Sequence, residues 1–255
     1  MQSFESASEE ALAFFAEHGW LALRGVLPVS PDTLSDWVDE VAAWANGGPG
    51  LHYREATEVG PKLCRSENFT PSHAGLYSLL REGAIPEVTS ALLGEPAVLY
   101  KEKINYKLSG GAGYSPHQDA PAYRFIERHI SCMLAVDAAT PENGCLEVVS
   151  GRQQEILPQD ERGCISAEVV AEMDWETASL EPGDVLWFHS RTPHRSAANS
   201  SSKDRRALYP TYNALSEGDL RDAYYEQKLA EFAASADDPG RIKLSLIGDF
   251  EGKAL

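Results

Sequence analysis

The chain has 255 residues, 22 of them basic and 39 acidic, for a formal net charge of −17. With 43% hydrophobic and 24% charged residues the composition is that of a folded globular protein, which excludes global disorder. The acidity argues against nucleic acid and anionic membrane surfaces, both of which need a basic face, and no apolar run approaches a bilayer span.

Ser6-Ala7-Ser8-Glu9 reads as a capping box, followed by Leu12, Phe15 and Ala16 at helical spacing and by Gly19 as the stop. A short apolar stretch runs from Trp20 to Val26. Asp32 is the expected cap of a second helix, with Leu34, Trp37, Val38, Val41 and Trp44 on one side and Asn46-Gly47-Gly48 at its end. Residues 48–75 read as a long loop-like region and a candidate lid, carrying His52, His73, Cys64-Arg65 and Glu67-Asn68-Phe69. Two short helical patterns occupy 72–93, split at Gly83 and Pro86. Strands are expected over Ala97–Leu108, His129–Val136, Cys145–Val149, Val185–Phe188 and Ala207–Tyr212, with turns at Ser109–Gly113, Thr140–Gly144 and Pro182–Asp184. Leu220 to Ala234 is helical again. Helices followed by many short strands indicate an α+β or mainly β chain. Its expected organisation is one domain over 1–255, with a helical layer mainly in 1–95, a strand-rich core over roughly 97–215 and a C-terminal helix over 219–235. Cys64, Cys132, Cys145 and Cys164 form no CxxC or CxH pair and no signal peptide is evident, so a reduced, cytoplasmic protein is expected.

The chemistry centres on His117-Gln118-Asp119. On a strand, His117 and Asp119 share a face and present an imidazole beside a carboxylate. A histidine from a neighbouring strand would complete two nitrogens and one oxygen on one side of a metal. The opposite positions stay open, as suits non-haem Fe(II) taking a co-substrate and O2. An HxD pair alone is unspecific in a chain with seven histidines. The residues downstream add context: Gly183-Asp184 turns into an apolar strand, and then come His194-Arg195-Ser196, Asn199 and Arg205. His189 is the rival to His194. Arginine's planar fork suits the far carboxylate of a dicarboxylate co-substrate, whereas Arg206, one residue on, would point away.

Taken in order, His117-x-Asp119, Glu142-Asn143-Gly144-Cys145-Leu146 with Gly151, Gly183-Asp184, and His194, Asn199 and Arg205 resemble the phytanoyl-CoA dioxygenase family of Fe(II)- and 2-oxoglutarate-dependent oxygenases. The resemblance spans about residues 97–213. It implies a double-stranded β-helix (a cupin-like jelly-roll) buttressed by the N-terminal helices. It further implies His117, Asp119 and His194 as the catalytic iron ligands, Arg205 as partner of the 2-oxoglutarate C5 carboxylate, and Ser196 as a further hydrogen bond there. Oxidation of a substrate C–H bond by O2 would be coupled to conversion of 2-oxoglutarate to succinate and CO2. Asp119 favours hydroxylation, because related halogenases carry a small residue in its place. The family's Gly-Ser-His is here Gly151-Arg152-Gln153, a departure outside the ligand set.

Lys103, Asn105 and Lys107 share one parity of their strand, and Ile104, Tyr106 and Leu108 the other; one set must face the interior. Lys103, Lys107, Asn105 and Tyr106 are therefore candidates for binding the co-substrate or an anionic substrate group. Tyr114, Gln118, Tyr123 and Arg124 flank the ligands, and Arg191 and Arg195 bracket the distal histidine. These are candidates for the substrate pocket, against the alternatives of rim, packing or surface ion pairs. Lys101–Leu108 and Arg205–Asn213 are similar to bacterial members acting on small polar molecules, the 2-aminoethylphosphonate hydroxylases among them. A small free substrate is thus expected rather than an acyl-CoA. Two other readings stay open: a cupin-like isomerase or zinc hydrolase without 2-oxoglutarate, and a non-catalytic binding descendant.

Overall fold

Local signals set the helices, with the caps displaced from the expected residues. The computed structural model describes residues 1–123, 125–235 and 247–254. Helix α1 (Glu9–His18) is capped by Ser8, whose Oγ accepts the Ala11 N–H at 3.3 Å, so the box beginning at Ser6 is two residues early. Gly19 ends it at φ 80°, a conformation that glycine adopts without a Cβ penalty. Helix α2 (Pro31–Ala43) is capped by Ser30 instead of Asp32, since Pro31 fits the first helical position and Ser30 Oγ accepts the Thr33 N–H. Helices α3 (Ala74–Arg81) and α4 (Ala84–Leu93) come next, with Pro86 tolerated in the first turn of α4.

The strands are β1 (Trp20–Leu23), β2 (Leu51–Thr57), β3 (Gly60–Glu67), β4 (Ala97–Lys107), β5 (Tyr114–His117), β6 (His129–Ala135), β7 (Leu146–Val148), β8 (Glu176–Ala178), β9 (Val185–His189), β10 (His194–Ser196) and β11 (Arg205–Ala214). A short helix α5 (Ala167–Val170) precedes β8, and α6 (Arg221–Ser235) comes after the last strand. They form two antiparallel sheets, one of seven strands in the order β1-β9-β6-β11-β4-β3-β2 and one of four in the order β5-β10-β7-β8. Face to face, these make a double-stranded β-helix.

Residues 48–75 are not loop-like. Strands β2 and β3 close a hairpin through Glu58-Val59, with Thr57 opposite Gly60, and β3 extends the large sheet by pairing Arg65 with Asn105 and Glu67 with Lys103. His52 bonds Ser66 and the Pro49 carbonyl, and His73 caps α3 by accepting the Leu76 N–H, so neither reaches the interior of the barrel. Three strands of the large sheet thus lie before residue 97.

Alternation along the central strands builds two cores. From β6, Ile130, Cys132 and Leu134 join Leu208, Tyr212, Ile104 and Tyr106 under α1–α4, while Met133 and Ala135 join Ala207, Tyr209, Leu146 and Val148 between the sheets. Helix α6 is tied to the large sheet by Arg221, which donates to both oxygens of the fully buried Glu102 at 2.7 and 2.8 Å. All four cysteines are buried and free. Among the described residues no helix is long and apolar enough to cross a membrane.

Candidate metal centre and active site

Antiparallel pairing of β5 with β10 sets His117 directly opposite His194, with ring centroids 4.1 Å apart. Asp119 lies just past β5, its Oδ1 4.0 Å from His194 Nε2, and one donor atom from each of the three residues falls within a 4.8 Å cluster. The three are 6%, 9% and 5% exposed for His117, Asp119 and His194. Each imidazole is oriented by a carbonyl two residues back: His117 Nδ1 donates to Ser115 O at 2.7 Å, and His194 Nδ1 to Thr192 O at 3.0 Å. A carbonyl only accepts, so the proton sits on Nδ1 and both Nε2 lone pairs face the cluster. Burial, then the neighbouring His117, lowers the His194 pKa to about 4, which leaves this ring neutral at neutral pH. Burial alone would raise the Asp119 pKa, yet His194, Lys101, His117 and Lys103 together hold it well below the usual carboxylate range. Two neutral imidazole nitrogens and one carboxylate are the donor set for a divalent transition metal with open positions.

The cluster opens into a solvent-connected cavity between the sheets. It is the lysine parity of β4 that faces inward, so Lys101, Lys103, Asn105 and Lys107 line it. Arg205 stands opposite Lys107 in the ladder. Its Nη2 donates to Gly144 O at 3.0 Å, while Nη1 is buried and has no partner among the described residues. Lys107 Nζ donates to Ser196 Oγ at 2.9 Å and to Gly144 O at 3.1 Å. Burial, then the adjacent Arg205, brings the Lys107 pKa down to about 7. Tyr114 and Tyr123 also line the cavity, where their hydroxyls accept from Arg65 Nη2 and Lys101 Nζ respectively.

Other expected residues are engaged elsewhere. Tyr106 borders the cavity but has the other parity: its ring belongs to the core under the helices, with its hydroxyl 3.2 Å from Ser66 Oγ. Gln118, just past the end of β5, points away from the cluster; it is fully buried, bonding the Glu155 and Arg191 carbonyls and the Leu157 N–H. Arg191, in the turn between β9 and β10, directs Nη1 to Gln154 O at 3.2 Å and is not in the cavity wall. Arg195 borders the cavity but is committed to both oxygens of Glu147, and Arg206 pairs with Asp137 and Asp39 on the outer side. His189 accepts from the Arg191 N–H, away from the cluster. Arg124 lies outside the described residues.

The fold also brings in residues that the sequence motifs do not mark. Arg65 and Glu67 arrive on β3, Lys101 on the same face as Lys103, and Tyr209 and Thr211 on β11. Asp249 enters from the chain's end, its Oδ2 3.4 Å from His117 Nε2, held because its own carbonyl accepts the Ser115 N–H. Strand parity is a sufficient signal for Lys101. Nothing local marks Asp249.

The family model described as Phytanoyl-CoA dioxygenase (PhyH) matches residues 15–207. The chain belongs to the phytanoyl-CoA dioxygenase family. Methylphosphonate hydroxylase of Gimesia maris is 50% identical over 223 residues, which cover 86% of each chain. The 2-aminoethylphosphonate dioxygenase of an uncultured bacterium is 38% identical over 90% of each. EctD from S. alaskensis, crystallised with 2-oxoglutarate and 5-hydroxyectoine, aligns with a TM-score of 0.73 at 20% identity over 85% of this chain and 80% of that one, and shows a shared fold.

The carboxylate of the cluster has its own support. Ser131 Oγ donates to Asp119 Oδ2 at 2.6 Å and lies 3.1 Å from Thr211 Oγ1. Outer partners of metal ligands are typically worth ~10–100-fold in affinity. Ser131→Ala is thus expected to weaken divalent-metal binding by about tenfold in an anaerobic titration, with the far-UV dichroism unchanged; undiminished affinity would show that Asp119 is held by other contacts.

Proposed function

We propose that this protein is an Fe(II)- and 2-oxoglutarate-dependent oxygenase that hydroxylates a C–H bond of a small phosphonate. The observation that carries the reading is one cavity holding both the buried His117–Asp119–His194 cluster and an arginine, Arg205, whose Nη1 has no partner among the described residues. The family match and the relatives named hydroxylase and dioxygenase favour this reading over a cupin-like isomerase or hydrolase without 2-oxoglutarate. The relatives named for methylphosphonate and 2-aminoethylphosphonate, at 50% and 38% identity, support phosphonates as the substrate class. Residues 1–255 are read as one domain, and the four free thiols support a cytoplasmic setting.

In the net reaction a C–H bond, O2 and 2-oxoglutarate become an alcohol, succinate and CO2. One oxygen atom enters the alcohol and the other the new succinate carboxylate, and C–H bond and keto acid each supply two electrons. Bound iron, held by His117, Asp119 and His194, would supply the activation of O2. The chain's own residues bind and orient. Arg205, Lys107 and Ser196 offer charge-assisted donors to the far carboxylate of 2-oxoglutarate. Tyr209, Thr211 and Phe188 wall the cavity and limit the water inside.

Lys107 makes co-substrate binding depend on pH. Burial disfavours its charged form, so in the free protein it loses its proton near pH 7; Arg205 adds to this, and Cys145, Glu251 and Glu55 oppose it. A bound dicarboxylate favours the charged form, so binding above pH 7 takes up a proton and the affinity falls as pH rises. Calorimetric titration with 2-oxoglutarate in buffers of different ionisation enthalpy should register that uptake at pH 8 and little of it at pH 6. The oxygenase function is tested by anaerobic addition of Fe(II) and 2-oxoglutarate, which should give a visible charge-transfer band, and then by O2 and methylphosphonate, which should give succinate and a hydroxylated phosphonate. No band and no succinate would refute it.

A further inference from the structure

The barrel interior holds more positive charge than a single co-substrate needs. In a chain of net charge −17, the cavity and its inner extension bring together Arg65, Lys101, Lys103, Lys107, Arg205 and Lys228 against Glu55, Glu67, Asp119 and Asp249, counting described residues and leaving aside Arg195, which is committed to Glu147. That is six basic side chains against four carboxylates, in formal charge an excess of two before any metal is counted; burial lowers the pKa values of Lys101, Lys103 and Lys107, so this charge develops in full only as anions bind. A divalent metal raises the excess to four, and 2-oxoglutarate, a dianion, removes half of it. The formal remainder leaves room for a second anion, whose binding would favour the charged lysines.

The position of the surplus is visible along β4. Lys107 faces Arg205 at one end, where the two cations and Ser196 serve the far carboxylate of 2-oxoglutarate in the proposed oxygenase. Lys103 lies four residues away, roughly 13 Å along the strand at its usual rise per residue. There it is opposite Tyr209 on one side and Glu67 on the other. Its neighbours have partners. Arg65 donates to Asn105 and Tyr114 and pairs with Glu67, Lys228 pairs with Glu67, and Lys101 donates to Tyr123. Lys103 is largely enclosed and lines both parts of the cavity, with Nζ 5.3 Å from the Tyr209 ring centroid. Among the described residues it has neither a hydrogen bond nor an ion pair. Burial, then Arg65, brings its pKa to about 8, as befits an ammonium without a counter-ion. Both Lys101 and Lys103 bear electrostatically on Asp119, which places them beside the metal cluster.

We propose that Lys103, backed by Lys101 and Arg65, is the anchor for the phosphonate group of the substrate, a second anion subsite on the opposite side of the cluster from Arg205. This rests on the reading of the cavity as a phosphonate oxygenase and assigns its specificity to particular side chains. The keto acid end of 2-oxoglutarate belongs at the metal and its far carboxylate at Arg205, so neither remains for Lys103. A phosphonate dianion has three oxygens that accept donors from several directions at once, which matches two lysines and an arginine converging from β4 and β3. Anchored there, the alkyl carbon of a short phosphonate is held beside the cluster, and Lys103 acts as a positioning residue.

Lys103→Met keeps the stem and removes the charge. In anaerobic protein loaded with Fe(II), the 2-oxoglutarate charge-transfer titration should be unchanged within about twofold, which also reports a folded site. Methylphosphonate, the probe, should perturb that band in the wild type, and the variant should need about 10- to 100-fold more of it, the scale of one charge-assisted hydrogen bond. KM for methylphosphonate should rise by a similar factor, with 2-oxoglutarate consumption partly uncoupled from hydroxylation. A variant that loses the 2-oxoglutarate band would assign Lys103 to the co-substrate and overturn the proposal. So would a variant that binds methylphosphonate as the wild type does, or a wild-type band that methylphosphonate leaves unmoved. Failure of the band in the wild type, read before phosphonate is added, would instead refute the oxygenase reading itself.

Discussion

Asp119→Ala is expected to abolish hydroxylation, by more than about a hundredfold, while leaving the sheets intact. Loss of an outer partner of a metal ligand already costs ~10–100-fold, and in the proposed site Asp119 is itself the anionic ligand. Two facing imidazoles, His117 and His194, would remain 4.1 Å apart, but with no carboxylate between them and Lys101 and Lys103. The six cations would then face three carboxylates, which further disfavours a divalent metal. Ser131 also loses the 2.6 Å acceptor of its hydroxyl but keeps Thr211. The measurement is iron retained after gel filtration together with hydroxylated phosphonate formed per minute. Asp119→Glu is the companion variant: its charge is right but its carboxylate sits one methylene further from the strand, so it should recover metal more than turnover. Retention of a tenth of the wild-type rate in the alanine variant would show that Asp119 is no ligand, and Asp249, 3.4 Å from His117 Nε2, would be the alternative carboxylate to examine.

Why Asp119 is legible in the sequence and Asp249 is not is a matter of where each gets its position. His117 and Asp119 are picked out by an expected two-residue strand period, although β5 ends at His117 and Asp119 follows it in a helical conformation, and His194 and Arg205 come at a spacing that the resemblance to the family carries. Those four need no knowledge of distant pairing. The central strands are equally legible, because Ile130, Cys132 and Leu134 face the helices and alternate with inward residues. The β2–β3 hairpin breaks the rule on which such readings rest. Its inward residues, Arg65 and Glu67, are charged because they face a polar cavity, and a strand with charge on its buried face looks like a solvated loop. The error at Gln118 has the reverse cause. It lies between His117 and Asp119 just past the end of β5, and its side chain turns away from theirs to bond the Glu155 and Arg191 carbonyls and the Leu157 N–H. The excess of cations inside an acidic protein cannot be read from composition at all, since it depends on which face each β4 lysine takes.

Arg205→Ala is expected to raise the 2-oxoglutarate requirement by about 100- to 1,000-fold, with a far smaller change in Fe(II) binding. Two hydrogen bonds to a charged carboxylate, each worth ~1.5–3 kcal/mol, correspond to that range when non-additivity is allowed for. The guanidinium is already committed on one side, where Nη2 donates to Gly144 O at 3.0 Å and Nε reaches Asn143 O at 3.4 Å, and these bonds hold the fork with Nη1 turned to the cavity. Lysine cannot reproduce a fork held in this way, so Arg205→Lys should recover little of the affinity despite its equal charge. Lys107 remains in both variants. With Arg205 gone, a neighbouring positive charge that lowers the Lys107 pKa is removed, so that pKa should rise from about 7 and the loss of 2-oxoglutarate affinity at high pH should set in later than in the wild type. Anaerobic titration of the charge-transfer band at pH 6, 7, 8 and 9 reads both effects. Affinity unchanged in the alanine variant would take the far carboxylate away from Arg205, and an unshifted pH profile would show that Lys107 does not titrate with binding.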